Sequence, residues 1–247
     1  MAITISEQRG VRYLHFGTPW VQGAMRIARP YALELEYTRD LMLPLVLRDG
    51  EWPRSVLQVG LGSASITKYL HRFFPDARLT VVELSETVLA AAYQYFRMPE
   101  QGDRLRVEIE DGHQFVGRSK ARFDFIVLDG FDEKGRAGLL DTAPFYMLCL
   151  ERLERRGAMA VNLLTRTRGV GASVERIKTA FAGRVFAIPP SDAGNTVAVA
   201  AAGSRIEESF EDLRERARAL KARTGLDLAS TLDRLAQASP DPDRFVL

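Results

Sequence analysis

The spacing of apolar residues changes character near residue 53. Upstream, Val11-Arg12-Tyr13-Leu14-His15-Phe16 and Trp20-Val21-Gln22 read as short alternating strands around Gly17-Thr18-Pro19, the pattern of a hairpin. Leu33 to Leu47 carries helical apolar spacing and leads into Trp52-Pro53. From Ser55 onward, short β-branched runs alternate with helical stretches, the order of a parallel sheet with crossover helices. The predicted strands are Val56 to Val59, Leu79 to Val82, Leu105 to Ile109, Phe123 to Leu128 and Ala158 to Asn162. Helices are predicted to open near Ser65, Glu86, Asp111 and Thr142, each at a capping-type or acidic residue. Arg184 to Ile188 and Thr196 to Ala200 flank the turn-rich Pro189–Gly194 stretch and predict a hairpin at the sheet edge. After Gly203 come two predicted helices, Ile206 to Arg223 and Leu228 to Gln237, and a polar Pro-rich tail. The fold class is therefore α/β and Rossmann-like. Three regions are expected: a short N-terminal element over residues 1–52, a nucleotide-binding domain over 53–203 and a helical extension over 204–247.

Composition changes this picture little. With 247 residues, 46% hydrophobic and 27% charged, the chain matches ordinary globular proteins and excludes a disordered or disulfide-built scaffold. Its single cysteine, Cys149, lies in the apolar run Phe145 to Leu150 and reads as a small buried thiol. The first residues have neither a basic start nor a long apolar run, and no stretch approaches the length of a membrane span, so a cytoplasmic protein without a membrane partner is expected. Net charge is +2, and the Arg-rich run from Arg214 to Arg223 alternates with Glu215, Ala217 and Leu220. That is the solvated face of a helix rather than a nucleic-acid patch.

Candidate chemistry gathers at the carboxyl ends of the predicted strands, where open α/β sheets bind their ligands. Val56-Leu57-Gln58-Val59 runs into Gly60-Leu61-Gly62-Ser63-Ala64-Ser65 and then a helix. Glycines suit a sharp turn that brings backbone close to a ligand. Glu83 ends the next strand, about 20 residues on, where a carboxylate accepts hydrogen bonds from ribose hydroxyls. Asp111-Gly112 follows the third strand; Asp111 suits either an adenine amino group or the N-cap of the next helix, and one carboxylate can do both. Asp129-Gly130-Phe131-Asp132 follows the fourth. A carboxylate there can orient or deprotonate an amine, or balance a cation, while an Asp-Gly turn with solvated carboxylates is the structural alternative.

Taken in order, these segments resemble the spermidine synthase family over about residues 10 to 200. The Gly60 loop, Val82-Glu83, Asp111-Gly112 and Asp129 to Asp132 follow the family's sequence of motifs, and Phe145-Tyr146-Met147-Leu148-Cys149 looks like its F-Y-x-x-C helix. Trp20-Val21-Gln22 is similar to a strand whose Gln lies near the active site, and Glu36-Tyr37 falls at the family's Tyr-His-Glu element. The resemblance implies a Rossmann-like methyltransferase-type fold that binds decarboxylated S-adenosylmethionine as co-substrate, uses no metal, and transfers its aminopropyl group to a small-molecule amine. Gly60, Gly62, Ser63, Glu83, Asp111 and Gly112 would then bind the cofactor. Glu83 would hold the ribose and Asp111 the adenine. Asp129 would assist the attacking amine, with Gln22, Tyr37 and Asp132 binding it. Family members commonly use their N-terminal region in dimers or tetramers, so a homodimer is expected.

Three departures qualify the resemblance. Neutral Ser63 stands where the family has an acidic residue. Tyr-His-Glu has become Tyr37-Thr38-Arg39, which places a guanidinium at the expected rim of the amine site, where it should repel a polyamine. Asp-Ser-x-Asp-Pro has become Asp129-Gly130-Phe131-Asp132-Glu133, and Pro189-Pro190-Ser191-Asp192 replaces an aromatic segment. The nucleotide half is kept and the amine half eroded. Arg39 could instead welcome the carboxylate of ordinary S-adenosylmethionine, which makes a methyltransferase the main rival. A non-catalytic nucleoside-binding or dimerisation module is the second rival. A nicotinamide oxidoreductase shares the first glycine loop but gains little from Asp111 and Asp129.

Overall fold

The computed structural model describes residues 2–132, 135–164, 169–190 and 194–247. In chain order its elements begin with β1 (Thr4–Gln8), β2 (Val11–His15), β3 (Gly23–Arg26), α1 (Glu36–Asp40) and α2 (Pro44–Leu47). The central part holds β4 (Ser55–Val59), α3 (Ser65–Phe73), β5 (Arg78–Glu83), α4 (Glu86–Phe96), β6 (Leu105–Ile109), α5 (Gly112–Arg118) and β7 (Phe123–Leu128). A 3-10 turn (Gly138–Asp141), α6 (Ala143–Glu151), β8 (Leu153–Leu164), α7 (Val170–Ala180), β9 (Val185–Ile188) and β10 (Asn195–Ala201) follow. The chain closes with β11 (Glu207–Ser209), α8 (Phe210–Thr224), α9 (Ala229–Ala238) and β12 (Arg244–Val246).

Seven strands form one sheet in the order β6-β5-β4-β7-β8-β10-β9. The pairs β6–β5, β5–β4, β4–β7 and β7–β8 are parallel, while β10 runs antiparallel to both β8 and β9. This is the expected Rossmann-like, methyltransferase-type arrangement, with the hairpin at its edge. Successive residues of a strand point to opposite faces. In β7, accordingly, Phe125 and Val127 join the core under α3, α4 and α8, whereas Ile126 and Leu128 join the core under α5, α6 and α7. Strand order reverses between β4 and β7, the place where such sheets open a crevice.

Differences from the sequence reading lie mostly outside this sheet. The Leu33–Leu47 helix is two short helices separated by Leu41-Met42-Leu43, all three fully buried, and Pro44 starts the second at a position where its missing N–H is not needed. In the N-terminal hairpin, β3 begins at Gly23 rather than Trp20, and β1 is an additional strand. It joins β2 through Arg9-Gly10, both at positive φ (50° and 74°), the conformation a two-residue hairpin turn needs. Strand β8 starts five residues before Ala158, through the exposed Glu154, Arg155 and Arg156. Helix α7 is a further element. The Pro-rich tail returns as β12, pairs with β11 and buries Phe245 against Phe186 and Phe210. Ser191 and Asp192, and Glu133, lie outside the described residues. No helix among the described residues is long and apolar enough to cross a membrane.

Candidate functional site

The turn from β4 into α3 is built on backbone that most side chains resist. Gly60, Gly62 and Ala64 all have positive φ (91°, 53° and 55°). A Cβ on Gly60 would overlap the carbonyl of Asp129, so the loop lies directly on the end of β7. Gly60 N–H donates to Val82 O at 2.8 Å and Asp129 N–H to Val59 O at 2.9 Å, which fastens the three strand ends together. Glu83 holds the loop itself: its Oε2 accepts from Leu61 N–H at 2.8 Å and its Oε1 from Ser85 N–H at 3.0 Å. Burial pushes this carboxyl above the usual range, against the opposing pull of those N–H groups. Each oxygen retains a lone pair, so the carboxylate can still accept hydroxyl groups from a ligand.

Asp111 caps α5 by accepting from Gln114 N–H through Oδ1 at 3.0 Å, which realises the capping role and leaves Oδ2 for another donor. Gly112 has no unusual φ; its missing Cβ makes room for Val59 and Leu140. Gly130 serves Leu140 likewise, since a Cβ there would come within 2.7 Å of Leu140 Cδ1. The 3-10 turn is thereby drawn close to the ends of β4 and β7. Leu84, directly after Glu83, is 71% exposed, and Leu139 is exposed beside it in sequence to Leu140. An open apolar side chain directly after a strand-end carboxylate, as at Leu84, suits the face of a flat ring.

Asp129 is the half-buried polar centre of the site. Its Oδ2 accepts from Tyr37 Oη at 3.1 Å and its Oδ1 from Asn162 Nδ2 at 2.8 Å. Asn195 Nδ2 in turn donates to Asn162 Oδ1 at 2.9 Å. Burial raises the Asp129 carboxyl above the ordinary carboxylate range, while the two donors pull it back. Burial and the neighbouring carboxylate together raise Tyr37 well above a free phenol. Asp129 and Tyr37 line a narrow cleft with Gln22, Thr38, Gln58, Gly62, Ser63 and Ser65. Gln58 is fixed from both ends, donating to Gly60 O at 2.7 Å and accepting from Thr67 Oγ1 at 2.7 Å.

The structure thus brings Gln22, Tyr37, Gly62, Ser63 and Asp129 to one cleft, and Gly60, Glu83, Asp111 and Gly112 to the adjoining strand ends. Ser63 Oγ bonds Ser65 Oγ at 2.9 Å, and Ser65 Oγ donates to Ala24 O, which ties the glycine loop to β3. Two residues fall elsewhere. Arg39 does not line the cleft; its Nη1 donates to the carbonyls of Leu33 and Glu34 at 3.2 Å each, and as residues two apart on a helix Tyr37 and Arg39 leave α1 in different directions. Asp132 is engaged by Arg136 through Nε and Nη2, both at 2.8 Å, and through Arg136 N–H at 2.9 Å. Sequence reasoning passed over Asn162, Asn195 and Gln58. The available signal was polarity inside strands that bury both faces, since a buried amide requires a partner.

A model of the spermine/spermidine synthase domain matches residues 34–163. The polyamine aminopropyltransferase of Chromobacterium violaceum is 32% identical over 237 residues, 96% of this chain and 90% of that protein. The solved structure of a probable spermidine synthase from Corynebacterium glutamicum superposes with a TM-score of 0.72 at 18% identity, covering 89% of this chain and 83% of its own. Human methyltransferase-like protein 13 in complex with SAH reaches 0.67 at 22% identity, covering 77% and 93%. At these identities the two structures speak for the fold alone.

Proposed function

The chain belongs to the spermine and spermidine synthase family, and from that membership we propose that it transfers the aminopropyl group of decarboxylated S-adenosylmethionine to a small amine. The charge of the cleft carries this reading. Its charged lining residue is the Asp129 carboxylate, and no Lys or Arg stands among the described residues that line it. An ordinary S-adenosylmethionine would bring its own carboxylate there without a cation to meet it, and like charges in a desolvated cleft repel. The decarboxylated form brings an ammonium beside a sulfonium, both matched by Asp129. With Arg39 directed elsewhere, both the methyltransferase rival and the expected repulsion of a polyamine lose the guanidinium on which they depended.

The nucleoside would lie along the strand ends. Gly60 and Gly62 give it close access to backbone, Glu83 accepts its ribose hydroxyls, Asp111 takes the adenine amino group on Oδ2, and Leu84 packs on the ring. Ser63 and Gln22 border the aminopropyl end. The acceptor reaches the cleft as an ammonium and must lose a proton before its nitrogen can attack. Asp129 takes that proton; its raised affinity for protons, set by burial, narrows the gap to the amine. The nitrogen lone pair then forms a bond to the aminopropyl carbon next to sulfur. The C–S bond breaks with its electron pair going to sulfur, which leaves a neutral thioether nucleoside and an aminopropylated ammonium. Tyr37 and Asn162 hold the carboxylate in place. A cytoplasmic setting belongs to the same proposal, in keeping with a buried, unpaired Cys149.

Calorimetric titration with both sulfonium nucleosides, paired with mass analysis of products after addition of putrescine, tests the reading. Tighter binding of the decarboxylated form and a product heavier by one aminopropyl group are expected. Preference for ordinary S-adenosylmethionine, or a methylated product, would overturn it.

A further inference from the structure

We propose that Asn195 is a positioning residue for Asp129, acting by fixing which end of the Asn162 amide faces the carboxylate. The inference rests on the reading of Asp129 as proton acceptor. An asparagine amide has a donor end and an acceptor end of nearly equal shape, so packing alone does not choose between them. Asn162 is 5% exposed, and its two ends meet different partners: Nδ2 points to Asp129 Oδ1 at 2.8 Å and Oδ1 to Asn195 Nδ2 at 2.9 Å. Were the amide reversed, its oxygen would oppose a carboxylate oxygen in a buried site, and Asn195 would face a donor with a donor. The carboxylate, which only accepts, and the Asn195 hydrogen both oppose the reversal, and Asn195 adds its share to the hold on this orientation.

The backbone makes the arrangement rigid. Asn162 pairs with Val197 and Leu164 with Asn195 in the β8–β10 ladder, so Asn162 and Asn195 sit diagonally on adjacent strands. Asp129 follows β7, which pairs with β8 on its other side. One row of side chains across β10, β8 and β7 therefore carries a directed chain of hydrogen bonds that ends on Asp129. The remaining groups about the carboxylate are Tyr37, the titratable side chain bonded to it from α1, and the neutral Gln22, Thr38, Gln58, Ser63 and Ser65 of the cleft. Asp132 is held in its ion pair with Arg136. Removing or reversing the Asn195 donor should thus be felt at Asp129 as a weaker hold on its charged form.

Asn195→Asp tests this with no change of shape, because it replaces the donor by an acceptor; Asn195→Val removes the donor without adding charge. The titration of the Asp129 carboxyl is followed by carbon-13 NMR in the ligand-free protein, with Asp129→Asn to assign the signal, alongside the pH profile of aminopropyl transfer. In both variants the Asp129 midpoint should move up by about one pH unit, the acid limb of kcat should move with it, and kcat should fall about tenfold while KM for the sulfonium nucleoside holds. An unmoved midpoint in folded Asn195→Val, which adds no charge, overturns the inference whatever happens to stability, and so does a rise confined to Asn195→Asp, which charge repulsion alone accounts for. If the midpoint moves but the unmodified protein transfers no aminopropyl group, the positioning role stands and the proposed activity falls.

Discussion

Replacing Glu83 by Gln changes one oxygen to an NH2 group and removes a charge, and the consequences can be worked from its bonds. The carboxylate accepts from Leu61 N–H at 2.8 Å with one oxygen and from Ser85 N–H at 3.0 Å with the other. A glutamine satisfies one of these donors and turns its own donor toward the other. Stranding a partly buried N–H costs about 1–3 kcal/mol, while removing the charge relieves the desolvation that raises this carboxyl, so a net loss of about 1 kcal/mol in unfolding free energy is expected. The pH dependence supplies an independent check. Burial raises the folded carboxyl above its unfolded value, so in the window just above the usual glutamate range the folded state holds a proton that the unfolded state has released. Stability contributed by that proton is present below the unfolded value and is lost as pH rises through the folded one; Glu83→Gln should lack this slope. Urea unfolding at several pH values measures both effects. Affinity for the nucleoside should fall as well, and comparison with 2′- and 3′-deoxy analogues separates a direct contact from a loosened loop. An unfolding free energy within about 0.5 kcal/mol of the unmodified protein would sink the claim that Glu83 pins the glycine loop. An equal loss of affinity for deoxy and hydroxylated ligands would remove it from the ribose.

Asp129→Asn should cut aminopropyl transfer by about a hundredfold or more, the scale of a positioned general base, with a much smaller change in nucleoside affinity. Asp132→Asn, which disturbs an exposed ion pair with Arg136, should leave turnover within a fewfold; equal, small losses in the two variants, measured by product formation, would place neither carboxylate at the reacting amine. Gly23→Ala puts a methyl group onto Ser63 without any demand on φ, so it should separate β3 from the glycine loop, cost about 1–3 kcal/mol and raise KM for the sulfonium nucleoside. Ser63→Gly in the same chain should restore part of both, because the Ser63 backbone nitrogen still lies 2.9 Å from the added methyl, and a Gly23→Ala protein with unchanged kinetics would show that the two segments do not need to touch.

The legible part of this molecule is the part where one local rule decides the outcome. Strands β6 and β7 appear at their expected boundaries because each is a short apolar run with no competing helical period. Asp111 and Thr142 mark helix starts because a side-chain cap is a local event, and both make that bond. The Leu33–Leu47 stretch misled because its central residues are buried all round, so their spacing carried no face, and only Pro44 signalled the break. The same holds for the site. Glycine loop, Glu83 and Asp129 are visible because they end strands, whereas Asn162 and Asn195 matter through partners 33 residues away, a separation no window along the chain connects. Lys68 is a related case: it stands at a helical position that any reading would leave in solvent, yet it is 1% exposed and donates to Phe96 O at the end of α4.

The three departures from the family pattern acquire one physical meaning once the cleft is in view. Ser63 adds no charge and spends its hydroxyl on Ser65, which stitches the loop to β3. Arg39 turns to the carbonyls of Leu33 and Glu34, so no cation stands among the described residues that line the cleft. Asp132 shares its charge with Arg136, so it offers a distal ammonium less attraction than an unpaired carboxylate would. What remains is Asp129, one carboxylate held by two neutral donors. In the proposed reaction this one half-buried carboxylate attracts the reacting nitrogen as an ammonium and then removes its proton. Among the described residues no ring of acidic side chains lines this cleft, so under the proposed function the rest of the acceptor would be recognised there by shape and neutral hydrogen bonding.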